Sequence, residues 1–329
     1  MMYIMTIDAG TTNSRIYLIN PESNELLDVV KLNVGVKNTA ITGSTDTLKK
    51  ELSSGIKEIL ERNKATAEDV SFMAAAGMIT SNLGLVEVPH LPSPCTLDDF
   101  STASVVKSLP EFFNIPCIFI PGMKNGPHLC SDIMRGEEVE TFGLIEQLEL
   151  KGKGILILPG SHTKYVVVDD NVLQSCLSTI SGEMLYAIQK DTILSSSLSK
   201  DLVKTTDYEA LMEGFHASRN SGLVRALYQV RLLQLFAKMD ENQRANFFVG
   251  AVLGSDLQAM GTLFEEIEPD WIVVGGSNPL REAFVYLLHY LQYPNVIEAS
   301  DEQVKMSTII GAAAIGKMKG GSRDENYWI

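Results

Sequence analysis

Cysteine is scarce: the 329 residues hold four, Cys95, Cys117, Cys130 and Cys176, at wide, irregular spacings with no CxxC pair. A chain of this length needs no disulfide staples, so a disulfide scaffold is excluded and a reducing cytoplasm fits. Histidines are few and scattered (His90, His128, His162, His216, His289), and none pairs at the spacing of a zinc centre. Positive charge is also short, with 27 Lys and Arg against 41 Asp and Glu for a net −14. No basic face or helix-turn-helix pattern is visible, so the surface is not one built to neutralise nucleic acid or anionic lipid. No apolar run approaches the ~20 residues of a membrane span. The N-terminus, Met1 to Asp8, lacks a basic start and reaches a carboxylate too early for a signal peptide, so a soluble, unexported protein is expected. A nucleophile elbow and a GxGxxG fingerprint are both missing, which removes support for serine-triad hydrolysis and for dinucleotide binding.

What is present is a chain with 45% hydrophobic content, enough for ordinary cores, and a length of about two domains at roughly 150 residues each. Tyr3–Ile7 and Arg15–Ile19 are β-prone runs flanking the small polar segment Asp8 to Ser14, which predicts a hairpin. Leu48, Leu52, Ile56, Ile59 and Leu60 recur near every 3.6 residues and predict a helix over 45–63, with Ser44 as its N-cap. A strand is expected at 71–76, then a polar, proline-containing loop over 79–94 whose length favours a working segment. A short strand over 116–120 follows, and a helix starting near Asp132. From Gly154 the same grammar restarts, with a strand at 155–158, a small polar turn at 159–164 and a strand at 165–168. A helical stretch at about 207–260, a strand at 271–274 and a helix over 307–317 complete the chain. Strands first and helices after, in each half, predict an α/β domain used twice. The boundary is placed near the polar Lys151–Gly154, giving domains 1–150 and 151–329, and the tail 320–326 is expected to be mobile.

Asp8-Ala9-Gly10-Thr11-Thr12-Asn13 puts a carboxylate at a strand end, beside a glycine and two hydroxyls, a combination suited to a magnesium-bound phosphate. An ordinary turn rich in turn-formers would also read this way. The second turn, Pro159-Gly160-Ser161-His162-Thr163-Lys164, occupies the equivalent place in the other half and favours phosphate. Gly275-Gly276-Ser277 after an apolar strand offers a bare backbone on which adenine or its ribose can lie. Glu137 and Glu138 stand about 100° apart on a helix, so one can face a site and take a proton from an acceptor hydroxyl while the other faces elsewhere. Capping of that helix is the plainer role for the same acids. Gly311 to Met318 nearly spells a P-loop, but Met318 replaces the required hydroxyl and three alanines favour helix, so it reads as a small-residue helix packed against a neighbour.

Asp8 to Arg15 resembles the first phosphate loop of the actin-like ATPase superfamily, which includes sugar kinases. Gly77–Gly84, Met134–Glu138 and Pro159–Val166 resemble, in order and spacing, the 2-dehydro-3-deoxygalactonokinase family. Ser181–Leu185 is similar to that family's Thr-Gly-Glu-Leu segment, and Phe248–Asp256 to its Leu-Leu-Ile-Gly helix. The likeness runs from Ile4 to about Lys317. It implies two ribonuclease-H-like domains around an ATP cleft, and phosphorylation of 2-dehydro-3-deoxy-D-galactonate, or a close sugar acid, at its terminal hydroxyl with ATP and Mg. It further implies that Asp8 holds Mg through water, that Gly10, Thr11 and Thr12 contact phosphates, and that Gly160, Ser161, His162, Thr163 and Lys164 form the second loop. Gly275, Gly276 and Ser277 would lie beneath the adenosine. The expected substrate side comprises Asn13, Met78, Ser81, Asn82, Arg135 and Glu183. Arg135 or Lys164 is available for the substrate carboxylate, though either can pair with neighbouring acids instead. Glu137 or Glu138 is the expected base. Two departures bear on which sugar acid is taken: Ala9 and Leu85 stand where the family usually carries Trp.

The partner implied is thus a small molecule, with no nucleic acid and no membrane, and a homodimer is left open. Two other readings stay in view: a phosphohydrolase of the exopolyphosphatase kind, whose Gly-Glu-Glu segment resembles Gly136-Glu137-Glu138, and a non-catalytic regulator that binds sugar or nucleotide.

Overall fold

The computed structural model describes residues 2–126, 132–264 and 267–321. His128, Cys130 and all of the expected tail beyond Gly321 lie outside them. In the first part of the chain the elements are β1 (Tyr3–Ala9), β2 (Ser14–Ile19), β3 (Leu26–Leu32), α1 (Val36–Thr42), α2 (Asp46–Arg62), β4 (Val70–Gly77), β5 (Leu91–Pro92), α3 (Leu97–Ala103), β6 (Val105–Ser108), β7 (Pro116–Phe119), β8 (Met123–Lys124), β9 (Ile133–Met134) and α4 (Glu137–Leu148). The remainder supplies β10 (Lys153–Leu158), β11 (Thr163–Asp169), β12 (Val172–Thr179), α5 (Ser181–Asp191), α6 (Tyr208–Ser221), α7 (Leu223–Phe236), α8 (Glu241–Phe264), β13 (Trp271–Val274), α9 (Leu280–Tyr290), β14 (Val296–Glu298) and α10 (Asp301–Gly321).

One sheet has the order β3-β2-β1-β4-β7-β6 and another β12-β11-β10-β13-β14; β5, β8 and β9 form a small third sheet. In both larger sheets the first strand of the half is central, its two successors lie to one side, and later strands pair on the other. β1 runs antiparallel to β2 and parallel to β4, while β10 runs parallel to β13. The central strands are buried along nearly their whole length, as expected where both faces are covered. The first core gathers Met5, Ile7, Ile16, Leu18 and Met73 against the buried face of α2, at Leu48, Leu52, Ile56 and Ile59. The second gathers Ile155, Ile157, Ile272 and Val274 against α6, α8 and α9, through Leu211, Phe215, Phe248, Val252 and Phe284. The opening move of the chain is therefore repeated as an α/β fold, as its patterning predicts.

Several local expectations need correction. Thr45, not Ser44, is the N-cap of α2; the Ser44 hydroxyl accepts from the Asp46 amide instead. Among the described residues no helix begins near Asp132, because Ile133 and Met134 pair with β8 as a strand and α4 starts at Glu137. The helical stretch after Asp207 is three helices, broken at Gly222 and again between α7 and α8. Helix α10 begins six residues before the expected Ser307, and residues 320 and 321 of the expected tail belong to it.

By contact density the chain divides after Lys151, but residues 169–176 and 302–321 group with the first unit. The difference from a simple halving at 150 lies mainly in α10. Cβ atoms at Gly143 and Gly311 would collide with the backbone of Ser307 and Val139 respectively, so only bare glycines allow α4 and α10 to pack this closely. The near-P-loop stretch is thus helical and close-packed, as read from its composition. Among the described residues Cys95, Cys117 and Cys176 are buried, and no helix is long and apolar enough to cross a membrane.

Candidate functional site

In the first unit the turn after β1 is closed by a hydrogen bond from the Gly10 amide to the Asn13 carbonyl, 2.9 Å. Amides at the start of α1 secure its other side: Val36 donates to the Gly10 carbonyl and Lys37 to that of Thr11. Thr11, Thr12 and Asn13 are exposed at its tip. Asp8, next to last in β1, forms an ion pair with Arg15 across the hairpin, at 2.9 Å. Its side chain keeps 28% of its surface. Desolvation by the surrounding protein nonetheless outweighs Arg15 and holds the carboxyl above its ordinary range, with Glu137 adding like-charge repulsion.

Two glycines bring Glu137 near Asp8. Gly77 ends β4 at φ 82°, where a Cβ would stand 2.7 Å from the Ala9 carbonyl oxygen; Gly136, at φ 112°, packs against it, with its Cβ position 3.3 Å from the Gly77 Cα. L-residues rarely adopt either backbone conformation, so the close approach of α4 to the ends of β1 and β4 depends on both. At the start of α4 the two expected bases separate. Glu138 is fully buried, and both its carboxylate oxygens accept from the Gly136 amide, at 2.9 and 2.8 Å. Burial, followed by the charge of Glu137, pushes its pKa up to about 8. Glu137 is partly exposed, and its Oε2 accepts from the Arg135 amide at 2.9 Å, which fixes the carboxylate's direction. Sequence reasoning passed over Glu140, one helical turn on. Burial, Glu137 and Asp8 together push its pKa up to about 8. Asp8, Glu137 and Glu140 thus repel one another. No cluster of three such residues stands at direct ligand spacing among the described residues.

The loop after β4 begins with a 3-10 turn, Met78–Thr80. The Ser81 hydroxyl donates to the Met78 carbonyl at 2.7 Å and accepts from the Leu83 amide, so it serves the turn itself; Asn82 is exposed. Arg135 threads beneath this loop. Its guanidinium donates to the Thr80 carbonyl at 2.8 Å, the Thr80 hydroxyl at 2.5 Å, the Val88 carbonyl at 3.0 Å and His90 Nδ1 at 3.1 Å. Burial and the Arg135 charge push the pKa of His90 down to about 4, so the ring is neutral and Nδ1 can accept. Of the two departures from the usual tryptophans, Ala9 has no exposed surface and lies within the first core, where its neighbours fill the space. Leu85 packs partly buried against the same core.

In the second unit Gly160, Ser161 and His162 are exposed at the turn between β10 and β11, whereas Thr163 and Lys164 are buried at the start of β11. Lys164 Nζ donates to the Ser178 hydroxyl at 2.8 Å. The N-terminus of α5 abuts the turn: the Glu183 amide donates to the Ser161 carbonyl at 2.8 Å, and His162 Nε2 lies 3.0 Å from the Glu183 carboxylate. Glu183, expected on the substrate side, therefore stands beside the second loop. Gly275 donates to the Ile157 carbonyl at the end of β13, and Ser277 is exposed. A further residue that the sequence reading missed, Arg281, is buried; it donates to the Gly276 carbonyl at 2.9 Å and pairs with Glu298 and Asp301.

Two sheets of one order, each carrying a small hydroxyl-bearing turn after its central strand, define an α/β fold of the actin-like ATPase and sugar-kinase class. Comparison with solved structures agrees. A Sinorhizobium meliloti protein assigned as 2-dehydro-3-deoxygalactonokinase superposes with a TM-score of 0.77 at 21% identity, over 96% of this chain and 98% of that one. The activator of 2-hydroxyisocaproyl-CoA dehydratase from Clostridium difficile, with bound ADPNP, gives 0.52 at 14% identity, over 97% of each chain. In sequence, 2-dehydro-3-deoxygalactonokinase of Escherichia coli K12 is 23% identical over 278 residues, 84% of this chain and 87% of that protein. The 2-keto-3-deoxy-galactonokinase family matches residues 8–309, and the chain belongs to that family of kinases.

Proposed function

We propose that the protein transfers the terminal phosphoryl group of ATP to the terminal hydroxyl of 2-dehydro-3-deoxy-D-galactonate, or a close 2-keto-3-deoxy sugar acid, in galactonate catabolism in the cytoplasm. The observation that carries this reading is the family match, which runs from Asp8 through both hydroxyl-bearing turns and the start of α4. In this reading Gly10, Thr11 and Thr12 of the first turn and Gly160, Ser161, His162 and Thr163 of the second bind the phosphates. Gly275, Gly276 and Ser277 support the adenosine. Glu137 is the base: its orientation is set by the Arg135 amide and it keeps solvent access, whereas Glu138 is enclosed and engaged by Gly136. The acceptor oxygen attacks the γ-phosphorus as the bond to the bridging oxygen of ADP breaks, and the hydroxyl proton passes to Glu137. Magnesium, when bound, neutralises charge on the phosphates, and Asp8 would hold it through water. Asn13, Met78 and Asn82 line the acceptor side. Arg135 shapes that side by holding the loop, its donors being directed to Thr80, Val88 and His90.

ADP release measured across a panel of 2-keto-3-deoxy acids and simple hexoses tests the reading. Turnover should depend on an added sugar acid, and equal ADP release without one refutes it. In the same assay Asp8→Asn should lower kcat by roughly 100-fold or more with the fold retained. Unchanged turnover would remove Asp8 from the site.

A further inference from the structure

Helix α8 faces the second core with Leu253, Leu257 and Met260, yet places an acid, Asp256, among them. Asp256 is only 5% exposed, and its Oδ2 is fully enclosed without a hydrogen-bond partner. An apolar residue at this position would avoid the cost of burying a carboxylate, so its surroundings need an account. Four hydroxyls neighbour the carboxyl group, from Thr163 and Tyr165 on β11, Thr179 at the end of β12 and Ser181 at the start of α5, and that of Tyr165 is likewise buried without a partner. Thr163 Oγ1 lies 2.7 Å from Ser181 Oγ, which in turn lies 3.3 Å from Thr179 Oγ1. These are the ends of the three segments that shape the turn at residues 159–163. Ser181 immediately precedes Gly182, where a Cβ would collide with the Gly160 carbonyl, and Glu183, whose amide holds Ser161.

We propose that Asp256 is the positioning residue of the second phosphate loop, acting through the hydroxyls of Thr163 and Ser181. One carboxylate on a rigid helix gathers the hydroxyl rotors of three chain segments, so the turn is held from beneath while its tip stays exposed. Burial raises the Asp256 pKa and the four neighbouring hydroxyls oppose the rise. The inference rests on reading residues 159–163 as a phosphate loop.

Steady-state kinetics of Asp256→Asn, Thr163→Val and the double variant test it. Asp256→Asn should raise the KM for ATP roughly tenfold, the scale on which sub-ångström misplacement is felt, and leave the KM for the sugar acid within about twofold. If Asp256 acts through Thr163, the double variant is little worse than either single one. An ATP KM within about twofold of the parent in folded Asp256→Asn, or independent additive effects, overturns the proposal. Should Asp256→Asn fail to fold, Ser181→Ala removes one of the hydroxyls while keeping the carboxylate. It should raise the same KM, and an unchanged value is again fatal. Gly182→Ala, which forces the Gly160 carbonyl to move, separates this from the underlying reading. If it also leaves the ATP KM unchanged, the turn is not a phosphate loop; if it alone raises the KM, only the role of Asp256 fails.

Discussion

Replacing Glu138 by glutamine tests whether this buried acid is a proton store rather than a permanent charge. The side chain has no exposed surface, and burial with Glu137 nearby pushes its pKa up to about 8, against 4.5 for an ordinary glutamate. Glutamine preserves the shape and one acceptor for the Gly136 amide but cannot titrate. Between about pH 4.5 and 8 the native state holds a proton on Glu138 that the unfolded chain has released, so the unfolded state binds fewer protons and stability falls as pH rises. The contribution is intact below the unfolded value and is lost on approach to the folded one. One such group changes stability by at most about 1.4 kcal/mol per pH unit, so from pH 5 to pH 8 the variant should gain roughly 2–4 kcal/mol relative to the parent. Glu140, raised to about 8 as well, titrates in both proteins and cancels in the difference. Urea unfolding at pH 5, 6, 7 and 8 measures this, with a constant m-value as the check that only stability has changed. Parallel stability curves, with the difference between the proteins constant to about 0.5 kcal/mol, would refute the reasoning.

Gly77→Ala puts a Cβ 2.7 Å from the Ala9 carbonyl at φ 82°, costing about 1–3 kcal/mol of strain and shifting the end of β1 that carries Asp8. It should reduce kcat at least tenfold, measurable by ADP release, and parental turnover would contradict the account of how Asp8 and Glu137 come together. Arg135→Lys replaces a fork that serves Thr80, Val88 and His90 by a single ammonium, so the KM for the sugar acid should rise several-fold while that for ATP stays within about twofold. Equal increases in both would count against a role confined to the acceptor loop.

The repetition of the fold was legible because it is written locally. Apolar runs of strand length flank a small polar turn twice, and neither the hairpin at Asp8 nor the turn at residues 159–163 needs a distant residue to be recognised. The 3.6-residue spacing of α2 is similarly local. Misread boundaries share a cause: Ile133 and Met134 form a strand only because β8 pairs with them, and α10 extends to Asp301 beyond the stretch whose small residues drew attention. Pairing and packing partners far along the chain are absent from any local window.

For the site, the sequence by itself determined the residue types of the two turns, the acids at the start of α4, and membership of a sugar-acid kinase family. Tertiary structure decided what those residues do with their charges. It engaged Glu138 with Gly136 and left Glu137 accessible, turned Arg135 inward to the Thr80 loop, paired Asp8 with Arg15, and brought Asp256 into the neighbourhood of Thr163. The physical reason is that a carboxylate or guanidinium takes its role from burial and from neighbours brought in by folding, whereas turn chemistry and hydrophobic period act between residues already adjacent in the chain.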